Sequence, residues 1–248
     1  MPALEGLRAV VTGGANGIGL AIAVGLAKAG ATVGVLDNDA GRLDVVISEN
    51  ADVDLVALAC DVSDRQAVHK AINTFAADGG LDILVNNAVV FHYSPLAEFP
   101  EHEVHRMLDV GIKGFLWATQ AATPFIEKSA NGSIINLSSI AVSMAVGRTS
   151  VYTTIKGAID AFTRQQAAEL GAKGVRVNAV APGSVRTPGA SAVITDAGWA
   201  QREAKSLLGR LPEAEDVANA VVFLASDDAR CITGVSLKID CGMSIAGA

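Results

Sequence analysis

Short apolar runs alternate with longer segments of helical period along nearly the whole chain. Leu7 to Thr12 predicts a buried strand. Gly17 to Ala29, rich in Ala and Leu, predicts a helix stopped by Gly30. Thr32 to Leu36 and Leu55 to Ala59 predict the next strands, with a helix over Ala40 to Glu49 between them. Ser63 is placed to cap a helix running to about Ala77. Ile83 to Val85 is a strand ending in Asn86-Asn87. Glu101 to about Ile126 is largely helical, interrupted by Gly111 and Gly114. Ser133 to Leu137 is a strand ending in Ser138-Ser139, and Val151 to Leu170 a long helix. Val175 to Val180 is a strand ending at Pro182-Gly183. A helix over Glu213 to Leu224 and a short strand over Ser236 to Ile239 complete the pattern. Strands without clean polar alternation are buried on both faces. This predicts one α/β domain over residues 1–248, a doubly wound, Rossmann-type parallel sheet with helices on both faces. Residues 188–207 carry no strong strand signal and read as a mobile lid.

Composition narrows the class. Of 248 residues, half are apolar and only 18% charged, which excludes disorder. The net charge of −7 argues against a nucleic-acid binder. No apolar run approaches the ~18 residues of a membrane helix. Glu5 stands where a secretory leader would be positive, so a cytoplasmic protein is expected. Three cysteines, Cys60, Cys231 and Cys241, read as small core or near-core residues in a reducing compartment.

Candidate chemistry falls at the C-terminal ends of the strands. Thr12-Gly13-Gly14-Ala15-Asn16-Gly17-Ile18-Gly19 joins the first strand to the first helix. Glycines there permit close backbone approach to a pyrophosphate, and the helix start supplies N–H donors. Asp37 follows 18 residues past Gly19. It suits the ribose hydroxyls of an adenosine and, by its charge, NAD over NADP; with Asn38 and Asp39 beside it, it also suits a plain turn. Asn16, before Gly17, offers no cation to a 2′-phosphate. Tyr152 and Lys156, at i and i+4, share one face of the long helix. A nearby ammonium is expected to lower the tyrosine pKa and so make it a usable acid/base. Ser139 precedes Tyr152 by 13 residues, at a strand tip where it can bond a substrate carbonyl or alkoxide.

These motifs, with Asp61, Asn86-Asn87-Ala88, Asn178, Thr187 and Ile232-Thr233-Gly234, make the chain resemble the short-chain dehydrogenase/reductase family. The resemblance covers nearly the whole chain. It implies a nicotinamide cofactor, with Tyr152 as acid/base and Lys156 also on the nicotinamide ribose. It puts Asp61 and Val62 at the adenine and has Asn87 and Ala88 line the cleft. Val185 and Thr187, beyond Pro182-Gly183, would meet the carboxamide. The expected activity is that of an NAD-dependent alcohol dehydrogenase or ketone reductase. The resemblance further implies a homodimer or tetramer pairing Glu101–Ile126 and Val151–Leu170. Phe115, Trp117, Ile159 and Phe162 suit such an interface or the internal core equally.

The chain departs from the family pattern in three places. Val89 and Cys241 replace glycines and read as packing changes. Gly111 stands where the family often has a catalytic asparagine, leaving only its carbonyl for a proton relay. That keeps open a second class, a non-catalytic NAD(H)-binding sensor or scaffold. Other signals have plainer readings. His102-Glu103-Val104-His105 misses zinc spacing by one residue and reads as a polar first turn, so no metal is expected. His92 and Tyr93 suit a loop surface or a substrate contact. Arg148 and Arg186 favour solvated charge over anion binding. Met144, Val146 and Trp199 suit plain packing or an apolar pocket wall.

Overall fold

The computed structural model describes residues 3–192 and 194–246. Seven strands form one parallel sheet: β1 (Arg8–Thr12), β2 (Thr32–Asp37), β3 (Leu55–Ala59), β4 (Ile83–Asn86), β5 (Ser133–Leu137), β6 (Arg176–Pro182) and β7 (Ser236–Ile239). Their order is β3-β2-β1-β4-β5-β6-β7. The order reverses between β1 and β4, where Ala9, Val10 and Val11 pair with Ile83, Leu84 and Val85. At such a reversal the connecting chains leave toward opposite faces, and a crevice opens beyond the strand tips.

Both faces of the central strands are apolar, as their lack of alternation predicts. Val11, Val85 and Ile135 point to one face, against α1 (Gly17–Lys28), α2 (Ala40–Glu49) and, later in the chain, the helix Ala214–Ala225. Val10, Leu84 and Ile134 point to the other, against α3 (Arg65–Ala77), the helix Phe115–Ile126 and the end of the long helix Ser150–Leu170. Each such side chain, fully removed from water, contributes about 1.5–3 kcal/mol.

Three local expectations are corrected. Asp64, not Ser63, caps α3: its carboxylate accepts from Gln66 and Ala67 N–H at 2.8 and 3.1 Å. Ser63 instead donates to Asp61 at 2.8 Å. Gly111 and Gly114 do not break their helix. α4 (Glu101–Leu108) runs through a π-helical turn (Asp109–Gly114) into α5 (Phe115–Ile126). A Cβ on Gly111 would lie 2.9 Å from Ile155 Cγ2, and one on Gly114 2.9 Å from Val62 Cγ2. The two glycines thus let this segment press against α6 (Ser150–Leu170) and the tip of β3. Of the cysteines, Cys60 is buried, but Cys241 is half-buried and Cys231 exposed.

Between β6 and the last helix the chain forms two short helices, α7 (Pro188–Ser191) and α8 (Asp196–Ala204). Thr187 and Thr195 cap them, each accepting a backbone N–H at 3.2 Å. Val193, within the segment read as a lid, lies outside the described residues. α9 (Ala214–Ala225) follows and packs on α1. Asn178 secures the closing strand: its Nδ2 donates to the Ile232 carbonyl at 2.8 Å and its Oδ1 accepts from Val235 N–H at 3.2 Å. No helix among the described residues is long and apolar enough to cross a membrane.

Candidate active site

One cavity of about 720 Å³ runs across the strand tips. Of the residues singled out for the site, Gly13, Asn16, Gly17, Ile18, Gly19, Asp37, Asp61, Val62, Asn87, Ala88, Ser139, Tyr152, Lys156, Pro182, Gly183, Val185 and Thr187 line it, while Thr12, Gly14, Ala15, Asn86 and Asn178 do not.

The loop after β1 is fixed by contact rather than by side chains of its own. Gly13 takes φ +63°, and a Cβ on Gly19 would sit 2.0 Å from the Gly13 carbonyl oxygen. Only glycine fits there. Asn87 crosses from β4 and donates through Nδ2 to the carbonyls of Thr12 and Gly13 at 3.0 and 2.9 Å. Thr12 Oγ1 accepts in return from Asn87 and Ala88 N–H, at 3.0 and 3.1 Å. Asn87 therefore lines the cleft, but its amide is spent on holding the loop. The N-terminus of α1 is left without a side-chain cap and with no acid in its first turn. Its free N–H groups and positive potential fit the pyrophosphate of a dinucleotide.

Asp37 ends β2 beside this loop. Its Oδ2 accepts from Ala15 N–H at 3.0 Å and its Oδ1 from Asp39 N–H at 3.2 Å. Arg42 also reaches the loop, donating through Nε to the Ala15 carbonyl at 3.3 Å, a contact the motif reading missed. Asp61 ends the next strand, holding Ser63 N–H and Oγ at 2.9 and 2.8 Å.

At the other end, Ser139 leaves β5 and accepts from Ala141 N–H at 3.2 Å, which fixes its hydroxyl oxygen at the cavity wall. Tyr152 and Lys156 face it from α6. Lys156 is buried and donates to the Leu137 carbonyl at 2.6 Å, with Nζ 5.7 Å from the Tyr152 ring centre. Burial pulls the lysine down to about 8, opposed by Asp160. Burial pushes the Tyr152 phenol up to about 12; the Ser139 hydroxyl opposes this and Tyr93 adds to it. The ammonium is engaged by the Leu137 carbonyl.

Comparison with known proteins completes the picture. The family described as enoyl-(acyl carrier protein) reductase matches residues 13–244. The chain is 36% identical to D-xylose 1-dehydrogenase of Caulobacter vibrioides, over 97% of both chains. It belongs to the short-chain dehydrogenase/reductase family. Among solved structures of similar fold is a 7α-hydroxysteroid dehydrogenase complexed with NADH and 7-oxoglycochenodeoxycholic acid (TM-score 0.92, 31% identity, 96% of this chain and 94% of that one). Another is a gluconate 5-dehydrogenase from Burkholderia cenocepacia in complex with NADP and tartrate (TM-score 0.93, 30% identity, 98% and 97%). The chain is an oxidoreductase that moves a hydride between nicotinamide and an alcohol or ketone, and nothing favours a non-catalytic role.

Several open readings now divide. Tyr93 lines the cavity and meets the Tyr152 ring edge-on at 6.1 Å. His92 turns away to Phe99, at 5.2 Å. Met144, Val146 and Trp199 do line the cavity, while Arg148 and Arg186 do not. Arg186 stacks on Trp199 at 4.8 Å and pairs with Glu203 at 3.9 Å. His105 pairs with Glu101 at 3.5 Å, as a polar first turn should. Sequence reasoning missed Gln201, Arg202, Lys205 and Met243, all on the cavity wall. The spacing of Ile194, Gly198 and Gln201-Arg202, one face of a short helix, was the available signal.

Gly111 carries a further consequence for this family member. Ile155, the residue before Lys156, fills the space in front of it. An asparagine at 111 would press its Cβ into a buried branched side chain. Gly111→Asn should therefore destabilise the fold by about 1–3 kcal/mol, and Ile155→Ala should recover part of that loss in the double variant. Denaturant unfolding of the four proteins checks this; additive losses would contradict it.

Proposed function

We propose that this enzyme is NAD(H)-dependent, acts on a secondary alcohol or ketone, and uses Tyr152 as its acid/base. The observation that carries the reading is convergence: Ser139, Tyr152 and Lys156 line the same cavity as the uncapped start of α1. Bound nicotinamide would supply the hydride acceptor or donor. Gly17, Ile18 and Gly19 would hold its pyrophosphate through backbone N–H groups. Asp37 would take the adenosine ribose and Lys156 the nicotinamide ribose. Asp61 and Val62 would bound the adenine, with Ala88 on the cleft wall. Val185 and Thr187, after the Pro182-Gly183 turn, would face the carboxamide. Ser139 Oγ orients the substrate oxygen. Tyr152 Oη takes the hydroxyl proton in oxidation and returns it in reduction. Burial favours the protonated phenol, and the charge of Lys156, one helical turn away, would favour the phenolate as the proton leaves.

The cofactor choice rests on Asp37, whose charge repels a 2′-phosphate. Arg42 supports the opposite reading, since its guanidinium sits at the same loop. We favour NAD because the Arg42 Nε is bonded to Ala15 and its Nη1 lies 3.5 Å from Glu49.

Assembly and location are also proposed. Phe115 and Phe162 pack on each other at 4.9 Å, and Ile159 is buried, which supports a part in the core of the single chain. A homodimer or tetramer would pair the helices Glu101–Ile126 and Val151–Leu170 with those of a neighbour, and the exposed edge of β7 with Val235, Leu237 and the neighbouring Phe223 offers a second surface. Three free cysteines suit a cytoplasmic setting. Light scattering at micromolar concentration should give a multiple of the chain mass; a monomer would contradict the assembly.

Steady-state kinetics on a panel of secondary alcohols, polyols and hydroxy acids tests the chemistry. Tyr152→Phe should cut turnover by at least ~100-fold while NADH still binds. Near-normal turnover in that variant would remove the mechanism. In the wild type, kcat/KM with NAD should exceed that with NADP at least ~10-fold, and Asp37→Asn should narrow the gap. Equal efficiencies would overturn the cofactor assignment.

A further inference from the structure

The far end of the cavity holds charge that the reaction itself does not need. α8 turns Arg202 into the cavity, and Lys205 follows at its C-terminal cap. Arg202 is half-buried, and its Nη1 donates to the Gly198 carbonyl one turn back, at 2.9 Å. Among the described residues neither cation pairs with a carboxylate. The acids that line the cavity, Asp37 and Asp61, stand at the tips of β2 and β3, at the adenosine end. The substrate end is therefore positive within a chain whose net charge is −7.

A guanidinium that lines a cavity without a carboxylate partner is placed to take one from a ligand. Its planar fork matches a carboxylate in a way that a neutral hydroxyl does not. It lines the same cavity as Ser139, Tyr93 and Tyr152. Tyr93 meets Tyr152 edge-on at 6.1 Å, and the charge of Arg202 works against the upward push of burial on the Tyr93 phenol. Phe91, Tyr93 and Trp199 give the intervening wall an apolar face suited to a carbon chain.

We propose that the substrate is a hydroxy acid, or the keto acid formed from it, whose carboxylate is held by Arg202 with Lys205 adding to the field. This rests on the oxidoreductase reading above and names its substrate class. The carbinol carbon lies at Ser139 and Tyr152. Its C–H bond breaks with hydride transfer to the nicotinamide, its O–H proton leaves through Tyr152, and the carboxylate is unchanged.

The test uses matched pairs, short-chain hydroxy acids and their methyl esters, assayed with NAD and with NADP. The acids should show kcat/KM at least ~10-fold above the esters, chiefly through KM. Arg202→Gln should bring that ratio close to one, and Arg202→Lys, which keeps the charge but not the fork, should leave an intermediate ratio. A second readout needs no chemistry. In the cofactor-free protein the acids should raise Tm and the esters should not, and the shift should shrink with added salt and vanish in Arg202→Gln. Esters turned over as well as acids, or an unchanged ratio in Arg202→Gln, would overturn the inference and leave the oxidoreductase reading standing. Failure of every pair with both cofactors would count against the oxidoreductase reading instead. The carboxylate-specific Tm shift would then still decide whether Arg202 holds an anion.

Discussion

The close approach of the first strand to the first helix is the constraint on which the site depends. Where a Gly19 Cβ would stand 2.0 Å from the Gly13 carbonyl, no side chain fits. The chain therefore passes from β1 into α1 with bare backbone. Thr12 and Asn87 then bind the tip of β1 to the tip of β4 through four hydrogen bonds. The loop that bares its N–H groups is thus fixed to the strand where the sheet order reverses. The tips of β5 and β6 follow in sequence beside it, and with them Ser139 and the Pro182-Gly183 turn. The bare glycine loop and the group of Ser139, Tyr152 and Lys156 share one cavity because one parallel sheet presents both at the same edge.

The chemistry is held against the preferences of its groups. Lys156 and Tyr152 are both shifted toward their neutral forms by burial, to about 8 and about 12. A charged lysine in that position is sustained by the Leu137 carbonyl and the more distant Asp160. Packing around α6 enforces this: Ile155 and Ile159 anchor the helix in the core, and Tyr152, on the same face, packs against that cluster at the edge of the cavity. The stability of the fold opposes the solvation of these groups and keeps them where water would otherwise claim them.

Much of this was legible in the sequence because it depends on backbone and burial. Doubly buried strands have to be apolar throughout, so β1, β4 and β5 declare themselves. A glycine loop between a strand and a helix leaves few uses open. What the sequence did not disclose depends on side-chain direction. Ser63 and Asp64 are both good caps, and only geometry shows that Ser63 is occupied with Asp61. Tyr152 and Lys156 share a helix face, yet the ammonium turns to a carbonyl of β5 that no helical spacing reveals. Gly111 reads as a lost asparagine until Ile155 is seen to fill its space. Arg148 and Arg186 looked equivalent to any other cation near the cleft. The cavity instead receives Arg202, because α8 folds back over the strand tips.

The central claim is that the bare backbone between Gly13 and Gly19 is what binds the dinucleotide. Calorimetric titration of NADH into Gly19→Ala, with Ser139, Tyr152 and Lys156 untouched, tests it most directly. The added methyl group cannot coexist with the Gly13 carbonyl, so the loop must open and NADH affinity should fall at least ~100-fold. Circular dichroism of the same samples would show whether the loop alone or the whole fold gives way. Wild-type affinity in that variant would contradict the account.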